Sequence, residues 1–273
     1  MQIKKLFCVV DPTVEAQPAL ERAHYIAAGT AASVHAYVCC EPPAGADVAD
    51  MEARKAEAAR VREWLEQKVA PLREDGDEVT TEVECERDWR GALAPAAARA
   101  GADLIVKGTF AHSMLHRRFL KTSDYQLLRH SSVPVLLSKL NGVDRIDRIL
   151  AAVDFQAPDD AHRALTERVL DYARTLATMA EADLHCVNAY SGSLNRISPA
   201  DLAERAGIDR SNAHVGDERP ETLITEIAGR IETPLVIIGS VARSGLSGAV
   251  VGNTAEKILD TVNADILTVF VED

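Results

Sequence analysis

The chain has 273 residues, 47% of them hydrophobic but only 4% aromatic, and a formal net charge of −12. That length suits one or two domains with largely aliphatic cores. The acidic balance argues against wrapping nucleic acid or lying on an anionic membrane, and no segment approaches the ~20 apolar residues needed to span a bilayer.

The chain begins with a short apolar run, Leu6-Phe7-Cys8-Val9-Val10, that follows Lys4-Lys5 and stops at Asp11. It is shorter than the ~7–15 residues of a signal peptide's apolar region. The five cysteines form no CxxC pair, and Cys8, Cys39 and Cys186 sit in strand-like runs as small hydrophobes. A reducing cytoplasm is the expected location, and Cys39 beside Cys40 reads as two buried thiols rather than a redox pair.

Periodicity then predicts, in order, a strand (3–10), a helix (14–29), a strand (32–40), a long helix (46–70), a strand (78–85), a helix (90–100) and a strand (103–107). A loop, a helix (121–131) and a last strand (133–138) follow. The long helix carries Val48, Met51, Val61, Leu65 and Val69 at helical spacing. Five strands alternating with helices predict a parallel sheet covered on both faces.

The chain then repeats. Lys5-Leu6-Phe7-Cys8-Val9-Val10-Asp11 matches Arg148-Ile149-Leu150-Ala151-Ala152-Val153-Asp154, and Leu104-Ile105-Val106-Lys107-Gly108-Thr109 matches Leu235-Val236-Ile237-Ile238-Gly239-Ser240. Residues 141–144 lie between the copies and read as a linker, which gives domains 1–140 and 145–273. In the second copy only about twenty residues separate Tyr190 from Asn212, so its second crossover must be short, with 199–206 as its candidate helix. Ligands of such sheets bind at the carboxyl ends of the strands, near the topological switch point.

The stretch after Ile238 points most directly at a ligand. Gly239 ends an apolar run, a Gly/Ser-rich loop through Arg243 follows, and Gly252-Asn253-Thr254 opens a helix. Backbone N–H groups and the positive end of a helix dipole converge there, an arrangement suited to phosphate. The first copy keeps Gly108 but has Lys121-Thr122 in place of Gly252-Asn253, behind a bulky basic loop with His112, His116, Arg117 and Arg118.

These residues resemble the tandem-domain universal stress proteins, most closely the E-type branch, over essentially the whole chain. The resemblance implies two flavodoxin-like (adenine-nucleotide alpha-hydrolase-like) domains, pairing of the domains through their last strands as a pseudo-dimer, and a role in stress survival without a defined enzyme activity. Nucleotide-binding members carry Gly-x2-Gly-x9-Gly-(Ser/Thr) after the fourth strand. Gly239 and Gly252 fill the first and third places, Ala242 the second, and Asn253 the Ser/Thr place. An alanine forced to positive φ in the second place would cost roughly 1 kcal/mol. By the same resemblance Asp154 lies near the ribose or a metal and Val187 against the adenine, with Arg243 and Thr254 beside the phosphates. ATP or ADP with Mg is the implied ligand, and the first domain is the degenerate one.

Other chemistry is less well supported. His112 and His116 are four apart, as zinc ligands on a helix would be, but no acidic partner is near in sequence. There is no GxSxG elbow, GxxxxGK[ST] loop, HExxH or GxGxxG after the first strand. The expectation is no catalytic residue and no resident metal. The alternatives are a nucleotide-free scaffold that recruits a protein or an apolar ligand, and a weak ATPase using Asp154 with a divalent ion. A homodimer is open in either case.

Overall fold

The computed structural model describes residues 2–42, 51–109, 117–139, 145–157, 159–192, 196–242 and 253–272, with the backbone alone at 117–122, 242, 253, 254, 256 and 272. It divides into two compact units, Gln2–Leu140 and Asn141–Asp273. The first unit runs β1 (Lys5–Val9), α1 (Pro18–Thr30), β2 (Ser33–Cys40), α2 (Met51–Glu74), β3 (Val79–Cys85), α3 (Trp89–Ala100), β4 (Leu104–Thr109), α4 (Arg117–His130) and β5 (Val135–Lys139). The second runs β6 (Arg148–Ala152), α5 (Asp160–Ala180), β7 (Asp183–Ala189), α6 (Pro199–Ala206), β8 (Ala213–Gly216), α7 (Pro220–Arg230), β9 (Leu235–Ala242), α8 (Asn253–Thr261) and β10 (Asp265–Glu272).

Each unit is a parallel, doubly wound, flavodoxin-like α/β sheet. The orders are β3-β2-β1-β4-β5 and β8-β7-β6-β9-β10, so the strand order reverses between β1 and β4 in one unit and between β6 and β9 in the other. The central strands are Val/Ile/Leu runs because helices cover both faces. On β2, His35 and Tyr37 share the face on which Arg99 of α3 lies, while Cys40 lies on the other face, close to Glu57 of α2. Leu6, Phe7, Leu104 and Ile105 in the first unit, and Ile149, Leu150, Val236 and Ile237 in the second, are fully buried.

Several boundaries differ from the periodicity. The first helix starts at Pro18 rather than 14, because proline at the first helical position pre-sets φ and lacks only an N–H that would go unpaired. The long helix continues past Pro71 to Glu74, where the Asp75 N–H bonds the Pro71 carbonyl. The fourth helix begins at Arg117, so Lys121 lies one turn inside it rather than at its opening. Strand β9 does not stop at Gly239; it pairs with β10 as far as Ala242 opposite Glu272. Ala242 is therefore extended backbone, and the strain that a positive φ would place on an alanine does not arise there. The short helix of the second copy is found at Pro199–Ala206.

The two units repeat their turns as well as their strands. Helices α1 and α5 both end on a non-glycine residue in left-handed conformation, Ala31 (φ 56°) and Glu181 (φ 52°). Each bonds through its N–H to the carbonyl four residues back, Ala27 and Ala177, which closes the helix and aims the chain into the next strand.

Candidate functional site

The second unit holds a cavity of about 360 Å³ at its switch point. It is lined by Ala152 at the carboxyl end of β6 and by Val153 and Asp154 just after it, by Ile238 to Val241 of β9, and by residues of α5, α7 and the first turns of α8. Val187 and Ala189 of β7 with Pro220 and Ile224 of α7 make an apolar slot to one side. A crevice of this size at the reversal of strand order is where such sheets bind ligands.

Asp154 follows the buried strand residue Val153, whose N–H bonds the Val187 carbonyl at 3.0 Å. Its backbone is held twice by Thr166 of α5: the Thr166 hydroxyl accepts the Asp154 N–H at 3.2 Å and donates to the Asp154 carbonyl at 3.1 Å. Oδ1 accepts the Gln156 N–H at 3.0 Å, an Asx turn that fixes the side chain. The fully buried Asn188 takes the Phe155 N–H at 3.1 Å and donates to Gln156 Oε1 at 2.8 Å, so the whole turn after β6 is braced from β7. The carboxylate itself is exposed at the mouth of the cavity.

Gly239 lies in the cavity floor for a packing reason. A Cβ there would sit 2.5 Å from Leu165 Cγ, so only glycine lets α5 approach β9. Gly108 in the first unit has the same relation to Pro18, with a Cβ falling 3.0 Å from its Cγ. Helix α8 opens at Asn253 and Thr254, and the buried Ala255 and Ile258 on its inner face line the cavity. Arg243 and Gly252 lie outside the described residues, as do His112 and His116.

Three polar cavity residues escaped the sequence reading: His162, Thr166 and Ser240. His162 stands in the first turn of α5, its Nδ1 2.7 Å from Asp159 Oδ1. The Asp159 carboxyl, which caps the helix, is held below the usual carboxylate range first by the His162 N–H and then by the His162 ring. The visible signal was the Asp-x-x-His spacing around a helix start. Thr166 and Ser240 carried none, because their roles depend on which strand ends meet.

The corresponding positions in the first unit carry an ion pair of their own. Aligned on Gly108 and Gly239, Lys107 replaces Ile238, Thr109 replaces Ser240, and Asp124 of α4 replaces Ala255. Lys107 Nζ lies 2.6 Å from Asp124 Oδ1 and the Thr109 hydroxyl donates to Asp124 Oδ2 at 2.9 Å. A largely buried carboxylate (its side chain 16% exposed) thus stands at the position of Ala255, which lines the cavity of the second unit. Tyr37 takes the place of Val187; it is fully buried and donates to Glu84 Oε2 at 2.5 Å. Trp89, at the start of α3, donates from Nε1 to Glu41 Oε1 at 2.9 Å, and Arg90 packs over its ring. Among the described residues no group of three or more His, Cys, Asp or Glu could hold a metal ion.

Fold and cavity together define a tandem α/β protein, two flavodoxin-like units of which the second keeps an open crevice at its switch point. The chain belongs to the universal stress protein family, whose model matches residues 2–139 and 190–269. It is similar to Universal stress protein E of Photorhabdus laumondii subsp. laumondii, at 25% identity over 97% of this chain and 94% of that one. It is 30% identical to a Universal stress protein E homolog of Haemophilus influenzae over 60% of this chain and 61% of that one. Among solved structures it resembles a putative universal stress protein from Pseudomonas aeruginosa UCBPP-PA14, with 29% identity, a TM-score of 0.81, and 98% and 93% of the two chains covered. It is thus a stress-response protein of the tandem type, and no described helix is long and apolar enough to cross a membrane.

Proposed function

We propose that this is a cytoplasmic stress-response protein whose second unit binds ATP or ADP, with Mg, as a regulatory ligand without turning it over. The observation that carries the reading is the position of the cavity: Asp154, the apolar slot at Val187 and the start of α8 bound one crevice at the switch point. In that reading the adenine lies against Val187, Asp154 takes the ribose hydroxyls or the metal, and the phosphates meet Asn253 and Thr254 at the positive end of α8. Gly239, Ala242, Arg243 and Gly252 complete the loop around them. Binding to the folded state alone would then add stability by mass action, which gives occupancy a role without turnover.

The test has two parts. Freshly purified protein is denatured, and the supernatant is resolved by anion exchange against nucleotide standards; stoichiometric adenine nucleotide is the expected result. Ala255→Asp then transplants the carboxylate of the first unit into the second, and Ala255→Asn controls for size. Loss of the Mg-ADP thermal shift in Ala255→Asp, with the shift kept in Ala255→Asn, is the expected pattern. An empty supernatant with no thermal shift in the unmodified protein overturns the nucleotide reading. The second reading, an apolar-ligand scaffold, draws on the aliphatic walls contributed by Val153, Leu165, Val169, Ile224, Ile238 and Ile258. Retention of a lipid-like extract in place of nucleotide would favour it.

A further inference from the structure

The first unit carries a pair of thiols that the ligand site does not use. Cys40 closes β2 and Cys85 closes β3, and the two are direct register partners in the parallel pair, so their side chains leave the sheet on the same face. Adjacent strands lie about 4.8 Å apart, inside the ~4.4–6.8 Å Cα separation that a disulfide spans. Cys40 Sγ donates to the carbonyl of Glu84, the residue before Cys85, at 3.4 Å, and the two thiols interact electrostatically. Their exposure is unequal: Cys40 is buried at 5%, whereas Cys85 is partly exposed. Cys39 is not part of the pair, because the alternation of β2 turns it to the opposite face, the face of Tyr37.

We propose that Cys40 and Cys85 form a peroxide-sensitive modification site, in which oxidation at Cys85 is resolved by Cys40 into a reversible disulfide between β2 and β3. The thiolate of Cys85, the accessible member, attacks a hydroperoxide oxygen; the S–O bond forms, the O–O bond breaks, and the departing hydroxide is protonated to water. Cys40 sulfur then attacks the sulfenic sulfur of Cys85; the S–S bond forms, the S–O bond breaks, and the leaving hydroxide takes the proton of the Cys40 thiol as water. Two thiols are oxidised by two electrons in all, and one hydrogen peroxide is reduced to two waters. Burial and the neighbouring Cys85 push the Cys40 thiol up to about 12, so peroxide meets the more exposed Cys85 first and Cys40 reacts through its proximity. β3 is the outer strand of its unit's sheet, so the cross-link ties an otherwise one-sided strand to its neighbour.

The experiment uses the full chain treated with a few equivalents of hydrogen peroxide, followed by alkylation of remaining thiols, proteolysis without reductant and mass spectrometry with fragmentation. The expected product joins Cys40 to Cys85, weighs two hydrogens less than the separate peptides, and disappears on treatment with dithiothreitol. In Cys40→Ser the sulfenic acid at Cys85 accumulates and is captured by dimedone, and in Cys85→Ser Cys40 remains alkylatable. Oxidation of Cys85 that stops at sulfinic acid in the unmodified chain overturns the proposal. So does a cross-link through Cys39, or recovery of both thiols fully alkylated.

Discussion

Gly239 and Gly108 look alike in sequence and differ in how tightly a helix presses on them. At Gly239 a methyl group would collide with the branch point of Leu165, and at Gly108 with the rim of Pro18. Gly239→Ala is expected to destabilise the second unit by about 1–3 kcal/mol, the usual cost of overpacking, and more than Gly108→Ala destabilises the first. Urea denaturation checks this, and combining Gly239→Ala with Leu165→Ala should cost less than the two changes summed, since they share one contact. A second residue-scale effect is the histidine pair of β7 and β8, where His185 Nδ1 lies 3.1 Å from His214 Nε2. His214 is pushed down to about 4 by burial, then by His185 and Arg230; His185 is lowered by burial, against a raising effect of Asp183 and a further lowering by Arg148. The unfolded histidines bind protons near ~6.5, so the unfolded state holds more protons below that pH. The stabilising contribution is complete above ~6.5 and is lost as pH falls toward about 4. The denaturation midpoint should therefore drop between pH 7 and pH 5, and the drop should shrink in His214→Gln.

At the scale of elements, the short helix α6 depends on its ends. Ser198 and Asp201 form a reciprocal capping box, with the Asp201 N–H bonding Ser198 Oγ at 3.1 Å, and Gly207 closes the helix in left-handed conformation at φ 68°. An eight-residue helix is marginal without such devices. Ser198→Ala should lower stability by about 1 kcal/mol, read as a shift of the second unit's denaturation midpoint. Helix α5 offers the opposite case. Glu181 holds φ 52° with a side chain that disfavours it, so Glu181→Gly is expected to gain up to ~1 kcal/mol in the same assay.

At the scale of the whole molecule, the two copies keep one framework and diverge at the switch point. The first places the Lys107–Asp124 pair and the buried Tyr37 at the positions where the second has Ile238, Ala255 and Val187 around its cavity. Ligand stabilisation should therefore fall on the second unit alone. Mg-ADP at a hundredfold its dissociation constant should add about 2.7 kcal/mol to that unit. Hydrogen exchange should slow in β6, β9 and α8 but not in β1, β4 and α4.

Much of this was determined by sequence alone. The alternation of apolar runs with helical spacing, the internal repeat and the short crossover at Pro199–Ala206 are local patterns, and the structure reproduces them to within a few residues. The resemblance to the family placed Asp154 and Val187 at one site, and both line the cavity. What only tertiary structure decided is which strand ends meet and what presses on them. Gly239 answers to Leu165, seventy-odd positions away, and Asp154 is held by Thr166 and braced through Asn188. Asp124 reaches back to Lys107 and Thr109 across a crossover. These are contacts between separate elements, set by the parallel register and by how closely each helix lies on the sheet, and no window of neighbouring residues encodes them.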